Sequence, residues 1–148
     1  MSTTDTSKLD DLIVTMIDSV KGYEHSAGMA HGAYAALFTK LAAERREAVA
    51  LLQAHSSAIG GSPKDFGSAA ATLHRRWEDL RVALGGGDEV IAKEIERGED
   101  YLKEEFERAL AMDSISDATR AVIAQAYDSV KKGHDRASAL KHGFTEAA

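Results

Sequence analysis

The chain has 148 residues, 44% of them hydrophobic and 28% charged, with 18 Lys+Arg against 24 Asp+Glu for a net charge of −6. That balance fits one globular domain spanning 1–148 and speaks against a disordered chain or a nucleic-acid surface, while no apolar run is long enough for a membrane span. With no cysteine at all, disulfides, thiolate metal sites and cysteine nucleophiles are excluded together.

The N-terminal MSTTDTSKLDD has no basic segment ahead of an apolar stretch, so no secretory leader is expected and a cytoplasmic location is. Abundant alanine and a single proline favour long helices. A first helix, A, is expected over about 7–29. Ser7 and Asp10 form a candidate capping box, and Leu9, Leu12, Ile13, Met16, Val20, Tyr23 and Ala27 recur at three and four. Gly28 to Gly32 breaks it. Helix B, about 33–58, carries Tyr34, Leu37, Phe38, Leu41, Ala48, Leu51, Leu52 and His55 on one face and stops before Gly60-Gly61.

Ser62-Pro63 reads as a restart, serine as N-cap and proline in the first helical position, for a helix over about 64–84 with Leu73, Trp77, Leu80 and Leu84 as its stripe. The three glycines at 85–87 end it. Asp88 then caps helix C, about 88–111, with Ile91, Ile95, Leu102, Phe106 and Leu110. A turn leads to helix D, about 116–142, with Val122, Ile123, Ala126, Tyr127, Val130, Ala137 and Leu140.

Short turns make A/B and C/D antiparallel hairpins. The connection between B and C contains about 20 helical residues, roughly 30 Å, enough to run back along the bundle and leave C parallel to B. The expectation is an all-α four-helix bundle with a helical crossover between its second and third long helices.

Charges that fall in the apolar stripes are the candidate functional groups. Glu24 follows Val20 by four, Glu44 lies between Leu41 and Ala48, Glu99 between Ile95 and Leu102, and His134 between Val130 and Ala137. Each helix thus offers one ligand-type group, with Glu47 one turn beyond Glu44. Buried carboxylates need a counter-charge, and three of them with an imidazole suit a divalent ion such as iron or manganese. Ion pairing is the other way to satisfy them: Glu44 with Lys131 or an arginine, His134 with Glu24 or a tyrosine. Gly98 and Gly133, next to Glu99 and His134, suit close helix approach or tight packing equally. Tyr23 and Tyr127 flank the inner faces as core residues or hydrogen-bond donors.

These residues resemble the ferritin-like superfamily. The segments Gly22-Tyr23-Glu24, Leu41 to Arg45, Leu73 to Trp77, Glu96 to Asp100 and His134-Asp135-Arg136 are similar, more narrowly, to a bacterial family of ferritin-like four-helix proteins of uncharacterised function. The resemblance implies a carboxylate-bridged di-iron site with Glu24, Glu44, Glu47, Glu99 and His134 as ligands, Fe(II) oxidation or peroxide handling in a stress response, and dimerisation. Two positions depart from the superfamily pattern: Glu47 stands where a histidine is expected and Lys131 where a glutamate is. The heights of Glu24 and Glu44 also differ, by about 12 Å for a turn near residue 30 and about 6 Å for one at Gly32. The alternative reading is a metal-free structural or interaction bundle acting through self-association or partner binding, and Lys131 favours it.

Overall fold

The computed structural model describes residues 3–29, 33–65, 85 and 88–147. Four long helices make up nearly all of this: α1 (Thr3–Met29), α2 (Ala33–Ala58), α3 (Asp88–Leu110) and α4 (Asp117–Ala147), the expected A, B, C and D in that order. Among the described residues there is no strand. The expected 64–84 helix falls mostly on residues outside the described set, as do positions 30–32 of the first break; residues 61–65, including Ser62-Pro63, have no regular structure.

Contacts fix the order of the bundle. The Tyr23 ring stacks on Phe38 while Thr6, near the start of α1, lies beside Gly61 just past the end of α2, so α1 and α2 are antiparallel. His134 meets Asp100 and Tyr127 meets Glu107, so α3 and α4 are too. Tyr23 reaches Glu99 while Asp5 reaches Ser116, just past the end of α3, which makes α3 antiparallel to α1 and hence parallel to α2. This is the arrangement expected from a long connection between the second and third helices. α4 closes the bundle against α2.

Periodicity explains the core. Leu9, Leu12, Ile13, Met16 and Val20 of α1 meet Ala48, Val49 and Leu52 of α2, Leu102, Phe106 and Ala109 of α3, and Ile123, Ala126 and Val130 of α4 in one large apolar layer, with Ile115 from the turn. A smaller cluster at the other end holds Tyr23, Phe38, Leu41, Ala42 and Ile95. The Tyr23 and Phe38 rings stack at 5.7 Å between centroids.

Helix ends are well satisfied. α2 closes through Gly60 at φ +89°, with Gly60 N–H donating to Ser57 O (3.1 Å) and Gly61 N–H to Ser56 O (2.8 Å), a pairing that needs the left-handed glycine. The Arg120 guanidinium donates to the carbonyls of Leu110 and Met112, groups left open where α3 stops. α1 starts at Thr3, one turn earlier than the Ser7 capping box implied, because Asp5 in its first turn is anchored to the start of α4.

Candidate functional site

Between the two apolar layers lies a belt of charge, and its centre is Arg45. This arginine is seven after Phe38 and seven before Leu52, the middle of the inward stripe of α2, and it is fully buried. Its Nη2 donates to Glu99 Oε2 at 2.6 Å, with each side chain 1% exposed, and its Nη1 donates to Ser19 Oγ at 2.9 Å. Tyr23 donates its phenolic O–H to the other carboxylate oxygen, Glu99 Oε1, and its ring lies 5.9 Å from the guanidinium carbon. Four side chains from three helices therefore bind one another inside the bundle, with Arg45 Nε left without a hydrogen-bond partner. The fourth helix contributes a gap. A Cβ at Gly133 would overlap Arg45 Nη2 and crowd Leu41 Cδ2 at 3.3 Å, so glycine lets α4 close over the guanidinium.

The electrostatics follow from this packing. Burial raises the Tyr23 pKa, and the neighbouring Glu99 carboxylate raises it further, so the phenol stays neutral well beyond its usual range. Burial opposes the Arg45 charge, but Glu99 beside it more than offsets that, and the guanidinium pKa lies above its usual value. Arg45 is thus a fixed cation held against Glu99.

The expected site residues are dispersed around this pair. Glu99 is buried as expected, on Arg45 and Tyr23. Glu24 does not face the core: it sits one residue past the buried Tyr23, about 100° round the helix, with its side chain 46% exposed and paired to Arg46 at 2.7 Å. Glu44 is half-buried at the edge of the stripe and accepts from Arg136 Nη1 at 2.6 Å. Glu47 is exposed. His134 is half-buried and bonds Asp100 Oδ1 through Nε2 at 2.6 Å rather than Glu24 or a tyrosine. Lys131 is exposed and Tyr127 donates to Glu107 at 3.2 Å. Among the described residues, no group of three or more His, Asp or Glu side chains is placed to hold a metal ion. Gly98 has open space where a Cβ would stand, so of the two glycines only Gly133 serves a close approach.

A family model described as a domain of unknown function, DUF2383, matches residues 5–112. The chain belongs to this family. No curated protein and no solved structure matches it. The DUF2383 match takes in Tyr23, Arg45 and Glu99 and stops before α4, which supplies Gly133, His134 and Arg136.

Among the described residues, the donor set of this DUF2383 chain does not fit a di-iron centre. Both oxygens of Glu99 are engaged, one by a cation that keeps its charge at any ordinary pH. A metal ion at Glu99 would have to displace the guanidinium and leave it unpaired in an apolar interior, a penalty of several kcal/mol. The three carboxylates meant to complete the set each point elsewhere.

A second polar cluster, which the sequence reading did not single out, lies at the opposite end. Asp5 is buried and accepts from Ser116 Oγ (2.6 Å), Ser116 N–H (3.1 Å) and Thr119 Oγ1 (2.8 Å). Thr119 spends its one hydroxyl proton on Asp5, so His55 Nε2, 2.9 Å away, is the donor to Thr119 Oγ1. Burial works to raise the Asp5 pKa, but the hydrogen bonds from Ser116 and Thr119 outweigh it and hold the carboxyl below its usual value. The first turn of α1, the end of α2 and the start of α4 are tied together by these groups.

Proposed function

We propose that this chain is a ferritin-like bundle that works as a metal-free interaction module, its centre closed by an internal ion pair and its function carried by its outer faces. The observation that supports this reading is the Arg45–Glu99 pair, buried on both sides and completed by Tyr23 and Ser19. A buried pair of this kind contributes little net stability over an apolar core, but it penalises every packing in which the two charges fail to meet. Its role is to hold four helices in one register and so present fixed surfaces. Iron oxidation and peroxide handling require carboxylates free to ligate, and here each candidate is held by an arginine or exposed at the surface.

The test is metal content after anaerobic Fe(II) or Mn(II) loading and desalting, on the wild type beside Glu44→Gln and Glu99→Gln. The expected result is no stoichiometric metal in any of the three and no metal-dependent rise in the unfolding midpoint. One or two iron atoms per chain, lost in both variants, would overturn the reading and restore the di-iron site.

A further inference from the structure

One face of α3 carries an ordered stripe of exposed and charged side chains. Among the described residues, Val90 and Tyr101 are the large hydrophobic side chains left exposed, at 47% and 44%. They are eleven residues apart, a spacing that returns to within about 20° of the same direction on a helix. The charged residues of that face are Glu94, Arg97, Glu105 and Arg108, which lie seven and four residues before Tyr101 and four and seven after it. All four project within about 40° of the Tyr101 direction. In chain order the stripe is negative, positive, tyrosine, negative, positive.

That order is antisymmetric about Tyr101, and the consequence is geometric. When a second α3 is laid antiparallel on the first, with a two-fold axis at Tyr101, residues equidistant from the tyrosine on opposite sides face each other. Glu94 then meets Arg108 of the second copy and Arg97 meets Glu105, and the two-fold repeats both pairs, so four oppositely charged contacts flank a Tyr101–Tyr101 centre. A parallel pairing would set like charges together. The same order sets each arginine one turn after its own glutamate, so one stripe serves both the helix and the antiparallel pairing.

Within one chain, Arg97 already pairs with Glu94 and Arg108 with Glu105, each one turn away. The arginine side chains are nevertheless 68% and 59% exposed. A guanidinium has five N–H donors in a planar fork, so each can keep its own glutamate and reach that of the second copy. The pairs lie at a rim, where charge sets orientation and partner choice more than affinity, and the tyrosines supply the apolar centre.

We infer that the chain forms a two-fold homodimer through the Val90–Arg108 face of α3, helix against antiparallel helix. A single helix face is smaller than the roughly 1,600 Å² buried in a standard interface, so the dimer is a weak one, with a dissociation constant in the micromolar range, and its strength is salt-sensitive. The inference deepens the interaction reading above and rests on it.

The experiment is sedimentation equilibrium of the full chain from low micromolar to several hundred micromolar, using wild type, an acidic-stripe variant R97E/R108E, a basic-stripe variant E94K/E105K, and the two variants mixed one to one. Far-ultraviolet circular dichroism confirms that each is folded. Wild type is expected to reach twice its 15.9 kDa chain mass and to dissociate at least about tenfold more readily at 0.5 M than at 0.05 M salt. Each variant alone is expected to be monomeric, and the mixture to dimerise. Because the chain has no cysteine, Tyr101→Cys supplies an independent readout: oxidation should link two chains at the axis, while Gln125→Cys on exposed α4 should not. A wild type that stays monomeric at the highest concentration overturns the inference, as do variants that self-associate like wild type or a Tyr101→Cys chain that links no faster than Gln125→Cys. Metal loading tests the underlying reading separately, so a metal-free monomer would sink the dimer alone.

Discussion

Arg45 and Glu99 are each tolerable inside the bundle only because of the other. Arg45→Ala or Glu99→Ala leaves one uncompensated buried charge and should lower unfolding free energy by about 3 to 5 kcal/mol, whereas Arg45→Met with Glu99→Leu should come close to wild type or exceed it. Urea unfolding of the three variants gives the double-mutant comparison. Gly133 and Gly98 make an opposed pair. Alanine at Gly133 collides with a pinned guanidinium and should cost about 1 to 3 kcal/mol despite its better helix propensity, while alanine at Gly98 meets only open space and should add about 0.5 to 1 kcal/mol. Tyr23 carries a pH signature. Its folded-state pKa is raised, so the stabilisation is complete below the free phenol value near 10 and is lost as pH rises through the folded value. Ultraviolet titration of the four tyrosines should show one ionising only with alkaline unfolding, and Tyr23→Phe should remove that step. At this scale the sequence was legible to within one residue. Glu24 stands one after the true inward group Tyr23, Glu44 one before Arg45, and His134 one after Gly133. One residue is about 100° of helix, and apolar spacing locates a face no more finely than that. The symmetric sevens from Phe38 and to Leu52 are the signal in the sequence that marks Arg45 as the inward residue.

Among the elements, the second and third long helices match their expected bounds to within a residue, since glycine runs and alanine-rich stripes are local signals. The start of the first was not legible, because what holds it is not local. Asp5 gains its partners from Ser116 and Thr119, more than a hundred residues on, and Ser116 in turn accepts from Thr119 N–H at 3.2 Å as the N-cap of α4. Asp5→Ala should destabilise the fold by about 2 kcal/mol near neutral pH. The Asp5 carboxyl is depressed in the folded state, so its contribution is present above the unfolded value near 3.9 and is lost as pH falls through the lower folded value. The gap in urea midpoint between wild type and Asp5→Ala should therefore close under acid.

For the whole molecule, topology was legible because the length between the second and third long helices leaves room to run back along the bundle, and the observed order of α1 to α4 obeys that constraint. Unequal halves were not legible, since only packing shows that the large apolar layer and the smaller Phe38–Ile95 cluster are separated by the Arg45 belt. Local opening should follow that division. Native-state hydrogen exchange is expected to be slowest for amides of Leu12 to Val20, Leu102 to Ala109 and Ile123 to Val130, and faster for Leu37 to Ala42 and Glu94 to Ile95; uniform protection along each helix would contradict it. The Asp5 tether also sets an order of events during synthesis. Its carboxylate cannot find its partners until residues 116 to 119 have left the ribosome, by which time α1, α2 and α3 have all been made. The bundle is thus latched from its first turn by the start of α4, and a nascent chain stalled before residue 116 emerges would carry α1, α2 and α3 with that latch still open.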